Sequence, residues 1–402
     1  MQAQLQTATA TPLVTPESLI KRARELVPVL AARAAQTDAD RCLPPETIAD
    51  FQQAGLFRIL QPKRYGGYEM EPQVFYDVVM TLAEGCMSSA WICGIIGVHN
   101  WQIALFDPRA AADVWGDGDG STLIASTYMP KGQVKPVEGG FRFSGRWGFS
   151  SGIDHCEWVF LGGLIFSEDG KSPPEYRTFL VPRSDFEVID TWYTMGLKGT
   201  GSKDIVVKDA FVPEYRTHRA ADGFAGTNPG GATFTAPLYK LPFGQIFVRA
   251  VSSAAIGALA GAVDAFRNWG SAWTGNMGAK TSEQGPAQLA VADALVAIDE
   301  MKLVMRRNFE VLMNAARQGG AVDINDRLQY RYQAALVVER CARQVYQIFS
   351  ACGGRGIFTD FPVVRQFLDI HSARAHYANN PDIFGRNYGG VMLGRDNTDF
   401  FL

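Results

Sequence analysis

The hydrophobic pattern changes its period twice along the chain, and this change limits the possible folds more than any other feature of the sequence. Up to about residue 120, and again from Phe243 onward, apolar residues recur at the three- and four-residue spacing of amphipathic helices. Between Ser121 and Pro213 short runs of β-branched and aromatic residues are separated by Gly, Pro, Asp and Ser. The sequence therefore predicts a helical region, a β-region and a second helical region, in that order.

Start and stop signals define individual helices within the two helical regions. Thr15 followed by Pro16 is a capping residue with proline at the first helical position, which predicts the start of a helix. Further helices are predicted over residues 45–54 and 90–101, and the second of these is nearly all apolar and therefore buried. Near the C-terminus, one helix carries the spacing of a helix-bundle seam at Leu295, Ile298, Met301, Met305 and Leu312.

The β-region contains five candidate strands. They lie at residues 122–125, 141–144, 158–165, 177–181 and 204–211. We therefore expect an α+β protein: a disordered tail at residues 1–15, an N-terminal helical domain at 16–120, a middle β-barrel or sandwich domain at 121–215 and a C-terminal four-helix bundle domain at 216–402. Residues 220–237 show no apolar period and are predicted to form an exposed loop.

Composition excludes several classes of function. The formal net charge of −3 favours neither nucleic acid nor an anionic membrane as a partner, and the longest mildly apolar run, residues 251–266, is too short and too polar to span a bilayer. The five histidines show no metal-binding spacing, so no metal site is predicted. The six cysteines form no C-x-x-C pair, which is typical of a reducing cytoplasm.

The turn after the second candidate strand carries the residues best suited to bind a cofactor. Ser150, Ser151 and Gly152 offer hydroxyls and backbone N–H groups, and they stand beside Trp147 and Phe149. Such a combination can stack against a flat ring and hydrogen-bond its edge at the same time. The same pattern also fits a hairpin with an aromatic core, so the residues alone leave both interpretations open.

Three blocks, in this order, carry a resemblance to a known family. They are residues 123–130 (Leu-Ile-Ala-Ser-Thr-Tyr-Met-Pro), residues 141–163 around the serine turn, and residues 192–213, which contain Gly-Leu-Lys-Gly-Thr-Gly-Ser-Lys. Together they resemble the middle β-domain of the acyl-CoA dehydrogenase superfamily. Within it the chain is most similar to the oxygenase component of two-component flavin-dependent aromatic hydroxylases, the p-hydroxyphenylacetate hydroxylase type.

The resemblance implies a function and a set of site residues. Enzymes of this kind take reduced FMN or FAD from a separate NAD(P)H-flavin reductase and use dioxygen, through a flavin C4a-hydroperoxide, to hydroxylate a phenolic or indolic substrate. They are usually homotetramers. The positions that match the family assign flavin contacts to Ser126, Thr127, Ser150 and Ser151, ring walls to Trp147 and Phe149, and catalytic roles to His99, His376 and Ser150.

Two other classes remain open at this stage. An acyl-CoA dehydrogenase needs a glutamate base in the C-terminal region, but no glutamate occurs between Glu214 and Glu283 or after Glu339. A dehydrogenase or nitroalkane-oxidase-like enzyme would then depend on an aspartate, Asp264 or Asp369. Residue 368 is a leucine where an arginine usually precedes this aspartate, which puts an inherited salt bridge of Asp369 in doubt. The third class is a non-catalytic flavin-binding relative.

Overall fold

A computed structural model describes residues 14–116, 118–167, 174–273, 278 and 280–402. The predicted tail, residues 1–15, lies almost entirely outside these ranges. The first helical region contains five α-helices: α1 (Pro16–Asp40), α2 (Pro45–Gln53), α3 (Pro72–Ala83), α4 (Met87–Gln102) and α5 (Pro108–Trp115). As the sequence predicts, the Thr15 hydroxyl accepts a hydrogen bond from the backbone N–H of Ser18, and Ser18 bonds back in a capping box.

The described residues of the middle region form one mixed sheet of seven strands in the order β5-β6-β2-β1-β3-β4-β7. Its strands are β1 (Ile124–Val137), β2 (Gly140–Ser150), β3 (Trp158–Ile165), β4 (Glu175–Pro182), β5 (Phe186–Ile189), β6 (Lys203–Pro213) and β7 (Thr217–Arg219). Only β1 and β3 pair in parallel; the other neighbours are antiparallel. The predicted four-residue first strand is the start of β1, whose far end carries mostly exposed polar residues that the hydrophobic pattern does not reveal.

The sheet curls over its own core. In a flat sheet β2 and β4 would lie about 14 Å apart, because two strands separate them. The rings of Phe143 on β2 and Phe179 on β4 nevertheless stack with their centroids 4.3 Å apart. The two strands therefore face each other across a packed interior, and the predicted barrel or sandwich domain is an open, strongly curled sheet.

The second helical region contains α6 (Ala220–Ala225), α7 (Phe243–Ala250), α8 (Ser253–Gly270), α9 (Gly285–Arg317), α10 (Ile324–Ala351), α11 (Pro362–Ala373) and α12 (Pro381–Met392). Helices α8 to α11 pack on one another as the predicted four-helix bundle. Residues 220–237 are predicted to form an exposed loop or a boundary between regions, but the short helix α6 occupies the first six of them.

The predicted burial of one residue in the bundle seam is wrong. Ile298, Met301, Met305 and Leu312 are buried as expected, but Leu295 is 46% exposed. Its neighbour Ala294 is fully buried instead. Ala294 precedes Ile298 by four residues and therefore lies on the same face of the helix.

A single stretch in the described part of the chain, Phe243–Gly270, has the length and apolar composition of a membrane span. It comprises α7 and α8, and 89% of the tested window is buried inside the protein. Such burial is that of a core helix, which the packing of α8 against α3 and the bundle explains.

Candidate active site

Helix α4 runs through the centre of the molecule and positions the first predicted catalytic residue. Every residue of α4 is buried, and its glycines allow other elements to approach closely. A Cβ at Gly97 would lie 2.6 Å from the ring of Phe75, so only glycine fits there. The helix ends beside the start of β1, and this brings the imidazole of His99 against the β-domain.

The hydrogen bonding of His99 leaves one ring nitrogen as an acceptor. Nδ1 lies 2.6 Å from the backbone carbonyl of Ile124, which can only accept, so Nδ1 carries the proton. Nε2 is fully buried and has no partner among the described residues. Burial lowers the pKa of His99 to about 4, although the bond to Ile124 acts in the opposite direction. At neutral pH, His99 therefore presents a bare, buried acceptor.

His376 presents a hydrogen-bond donor, in contrast to the acceptor of His99. It caps the turn that follows α11, where its Nδ1 accepts a hydrogen bond of 3.1 Å from the backbone N–H of Ala378. In the neutral ring the proton consequently lies on Nε2, which becomes a donor. Although part of its surface remains accessible, burial lowers the pKa of His376 to about 4, and the charge of Arg331 lowers it further. The two histidines are thus neutral and complementary.

Aromatic contacts connect the two histidines. On one side Trp91 of α4 lies 5.9 Å from the ring of His376. On the other side the ring of Phe247 lies 6.3 Å from His376 and 4.9 Å from Tyr128, which is in turn 6.3 Å from His99. The predicted catalytic histidines therefore border one aromatic cluster, built by α4, β1, α7 and the turn after α11.

The serine turn joins this cluster through Trp91. Its indole N–H donates a hydrogen bond of 3.2 Å to the hydroxyl of Ser151. The turn itself is formed by two left-handed residues, Phe149 at φ 66° and Gly152 at φ 73°. The hydroxyl of Ser150 is buried and has no partner in the described ranges, which marks it as available to a bound group.

The other predicted flavin contacts do not all face this cluster. Ser126 shares a face of β1 with Tyr128, and its hydroxyl lies against the phenol: burial raises the pKa of Tyr128 well above its usual value, while hydrogen bonds with Ser126 and Gln102 oppose the rise. Thr127 points to the opposite face by strand alternation. Phe149 is 66% exposed and meets Trp192 edge to face at 5.8 Å, so it can border a ring bound at the turn.

Trp147 is not a wall of the site. Its side chain is fully buried, and its indole N–H donates to the carbonyls of Met129 and Gly162 at 3.1 and 3.0 Å. It also packs on Phe143, with the ring centroids 5.0 Å apart. Alternation along β2 turns this side chain into the curled sheet, and the prediction that it stacks on the flavin is corrected accordingly.

Sequence reasoning missed several residues of the site. Trp91, Tyr128, Phe247 and Ser202 all line it or hold its members in place, the last through a 2.8 Å hydrogen bond to Ser151. Tyr128 and Ser202 lie in the blocks that carry the family resemblance, so their position was a usable signal. Trp91 and Phe247 stand in apolar helices and have no pattern that separates them from core residues.

Neither aspartate considered as a dehydrogenase base bonds to His99 or His376 among the described residues. Asp264 is exposed on α8 and pairs with Arg267 at 3.3 Å. Asp369 is buried, and its Oδ1 accepts a 2.6 Å hydrogen bond from the backbone N–H of Leu197. Within the described part of the chain Asp369 forms this hydrogen bond and no salt bridge. Within the described ranges no group of three His, Cys, Asp or Glu residues could hold a metal ion.

A small cavity lies next to the aromatic cluster. Its volume is about 20 Å³, and Gln102, His218, Phe243 and Phe401 are among the residues that line it. Gln102 accepts a hydrogen bond from the phenol of Tyr128, so this cavity adjoins the cluster rather than the serine turn. It is too small to hold an aromatic molecule.

Comparison with known proteins agrees with this geometry. Residues 16–107 match the family model of the acyl-CoA dehydrogenase N-terminal domain, and residues 250–381 match that of the acyl-CoA dehydrogenase C-terminal domain. The chain therefore belongs to the class of proteins with the acyl-CoA dehydrogenase fold, as the sequence blocks indicated.

Curated relatives narrow the class. The oxygenase subunit HsaA of a flavin-dependent monooxygenase from Mycobacterium tuberculosis is 35% identical over 388 residues, which cover 94% of this chain and 97% of that protein. The oxygenase component of an FADH2-dependent resorcinol hydroxylase from a Rhizobium species is 30% identical, covering 94% of each. The crystal structure of 3-HSA hydroxylase from Rhodococcus sp. RHA1 superimposes with a TM-score of 0.91 at 34% identity, over 96% of this chain and 99% of that one.

The chain belongs to the family of flavin-dependent monooxygenase oxygenase components. Its cofactor is reduced flavin. Both statements confirm the expectations drawn from the sequence, and neither the dehydrogenase nor the non-catalytic alternative is favoured.

Proposed function

We propose that this oxygenase component hydroxylates a neutral aromatic compound that carries a phenolic hydroxyl or an indole N–H. The compound would bind against the aromatic cluster described above. The observation that carries the proposal is the buried Nε2 of His99, an acceptor without a partner in the described chain, at the edge of an aromatic cluster. A phenol or indole supplies a flat ring for that cluster and one donor for Nε2.

Reduced flavin, when bound, activates dioxygen: one oxygen atom goes to the ring, the other leaves as water, and the flavin is oxidised. The residues fit such a cofactor, because the buried hydroxyl of Ser150 lacks a partner among the described residues, and the exposed ring of Phe149 lies at the same turn with the half-buried Trp192 against it. Ser126, Ser150 and Ser151 would hydrogen-bond the flavin, whereas Thr127 would contribute from the other face of β1 only through its backbone.

The two histidines would have different roles in hydrogen bonding. His99 would accept the donor hydrogen of the substrate and so make the ring more electron-rich. His376, through its Nε2–H, would donate a hydrogen bond to oxygen near the flavin. Trp91 and Phe247 would exclude water between them, which favours oxygen transfer over release of hydrogen peroxide.

A neutral substrate is favoured by the charges near the cluster. Arg331 is the cation whose field reaches His376, but its guanidinium bonds the carbonyl of Ala378 at 2.9 Å and lies 3.7 Å from Asp399. A carboxylate on the substrate would have to compete with these partners. We therefore expect uncharged phenols and indoles to be preferred over their carboxylated analogues.

The proposal also covers the protein's partners, its oligomeric state and its location in the cell. Oxygenase components receive reduced flavin from a separate reductase, here one that uses NAD(P)H. Leu289, Val296 and Leu303 are exposed at seven-residue intervals along α9, which supports burial of this stripe in a homotetramer. All six cysteines are free, which supports a cytoplasmic location.

The test is to mix the purified protein anaerobically with reduced FMN or FAD and then to add dioxygen with a phenol, an indole or their carboxylated analogues. We expect hydroxylated product from a neutral compound, with tighter binding of reduced than of oxidised flavin. A parallel assay with an acyl-CoA and an artificial electron acceptor should give no turnover. Acyl-CoA oxidation without any aromatic product would overturn the proposal.

A further inference from the structure

We infer that Thr200 and Ser202 fix the direction of the Ser151 hydroxyl, so that Ser151 can only accept a hydrogen bond from the flavin and thereby selects the reduced cofactor. The inference rests on the proposed assignment of Ser151 to the flavin site. Thr200 and Ser202 are positioning residues in this account, because they act through Ser151.

Three hydroxyls form a chain behind the serine turn. The Oγ atoms of Ser151 and Ser202 are 2.8 Å apart, and Oγ of Ser202 lies 2.7 Å from Oγ1 of Thr200. The chain ends at the backbone carbonyl of Leu197, 2.8 Å from Oγ1 of Thr200. All three hydroxyls belong to buried residues, so water cannot freely replace one of these bonds.

The carbonyl at the end of the chain sets the direction of every hydrogen in it. A carbonyl oxygen has no hydrogen, so Thr200 must donate to Leu197. Ser202 must then donate to Thr200, and Ser151 to Ser202. At the other end, Ser151 already accepts from the indole N–H of Trp91 at 3.2 Å. What remains free on Ser151 is a lone pair, which can accept a further hydrogen bond but cannot donate one.

The end of the chain is held rigidly. Leu197 adopts a left-handed conformation at φ 51°, and its N–H is bonded to the buried carboxylate of Asp369. Two residues later, a Cβ on Gly199 would lie 2.1 Å from the Thr37 side chain, so this segment is packed directly against α1. The carbonyl of Leu197 therefore cannot turn away from Thr200 without disturbing the contacts with both α1 and α11.

The two redox states of flavin differ in the group that a serine at the ring edge would meet. The N5 atom of reduced flavin carries a hydrogen and donates, whereas N5 of oxidised flavin has a lone pair and only accepts. A hydroxyl that can only accept forms a hydrogen bond with the N5–H of reduced flavin. Against oxidised flavin, the lone pair of this hydroxyl meets the lone pair of N5, and no hydrogen bond forms. Reversing the chain would sacrifice the bond from Thr200 to Leu197, a cost of one net hydrogen bond, or about five-fold in affinity.

The experiment compares the dissociation constants of oxidised and reduced flavin, measured anaerobically for the reduced form, in four proteins: the parent, Thr200→Val, Thr200→Ser and Ser202→Ala. Valine has the shape of threonine without the hydroxyl, so the chain loses its fixed end. We expect Thr200→Val and Ser202→Ala to bind oxidised flavin about five-fold more tightly, with reduced-flavin affinity within two-fold of the parent. Thr200→Ser should retain the parent ratio.

The outcomes separate this inference from the function on which it rests. Equal weakening of both redox forms in Thr200→Val and Ser202→Ala, or an unchanged ratio in both, would overturn the role of the hydroxyl chain. Ser151→Ala tests the site itself: we expect it to weaken reduced flavin about five-fold. If Ser151→Ala changed the affinity of neither form, the proposed flavin site would be wrong, whatever the Thr200 variants did.

Discussion

Replacing His99 by asparagine is expected to slow oxygen transfer to a phenolic substrate while leaving the binding of reduced flavin intact. In the parent, Nδ1 anchors the ring to the carbonyl of Ile124 and Nε2 is the free acceptor. The asparagine amide can still donate to Ile124, but it is too short to reach the position of Nε2. The substitution therefore removes the acceptor and keeps the local anchor.

The size of the effect follows from the burial of Nε2. Without the histidine, the substrate donor is left unpaired in a dry site, which costs about 1–3 kcal/mol, or roughly 5-fold to 150-fold in rate. Loss of a group that also takes a proton costs about 10²-fold to 10⁴-fold. We expect a decrease of about 10²-fold, where the two ranges meet.

The low pKa of His99 adds a second signature. Because burial lowers this pKa to about 4, the accepting form is present above that pH, and His99 should give the parent no rate change near pH 6.5. The unfolded-state pKa is about 6.5, so the stability contributed by the neutral ring is complete above pH 6.5 and is lost as pH falls toward 4. Across that window the parent should lose about 1.4 kcal/mol of unfolding free energy per pH unit relative to His99→Asn.

Rapid mixing provides the assay. The complex of each protein with reduced flavin is mixed with dioxygen and substrate, and product and hydrogen peroxide are measured against time. His371→Asn is the control, because His371 is bonded to the Phe367 carbonyl of its own helix. Oxygen transfer at the parent rate in His99→Asn would show that His99 is only a core residue. An equal loss of rate and of reduced-flavin affinity would indicate damage to the fold instead.

Two further predictions concern the C-terminal helices. Since His376 offers a donor at Nε2, His376→Ala should speed the release of hydrogen peroxide when substrate is absent and raise the hydrogen peroxide formed per dioxygen when substrate is present; an unchanged rate and yield would remove it from the site. Burial, and then Asp38, raises the pKa of Asp369 to about 7. Its protonated form therefore contributes stability below about pH 4 that is lost as pH rises through 7. Asp369→Asn should gain about 1.4 kcal/mol per pH unit over the parent between pH 5 and 7 in urea unfolding, and a pH-independent difference would contradict this.

The serine turn could be predicted because it lies in blocks whose order is itself a signal, and His376 because its position matches the resembled family; their roles stay predictions. The boundary between helical and β-regions could be predicted because hydrophobic periods of two and about 3.6 residues report local structure directly. Trp147 shows where this reasoning ends. It stands three residues before Ser150, but the alternation of β2 and the curl of the sheet turn it into the interior.

The sequence by itself determined the order of its three regions, because hydrophobic period and turn chemistry are local properties of the chain. The class of fold and the kind of cofactor followed from the resemblance of its blocks to a known family. Only the tertiary structure decided what each polar group can do. The opposite tautomers of His99 and His376 depend on two backbone groups, the carbonyl of Ile124 and the N–H of Ala378, which belong to different domains. The direction of a hydrogen bond is set by the partner that folding supplies, and no spacing along the chain records it.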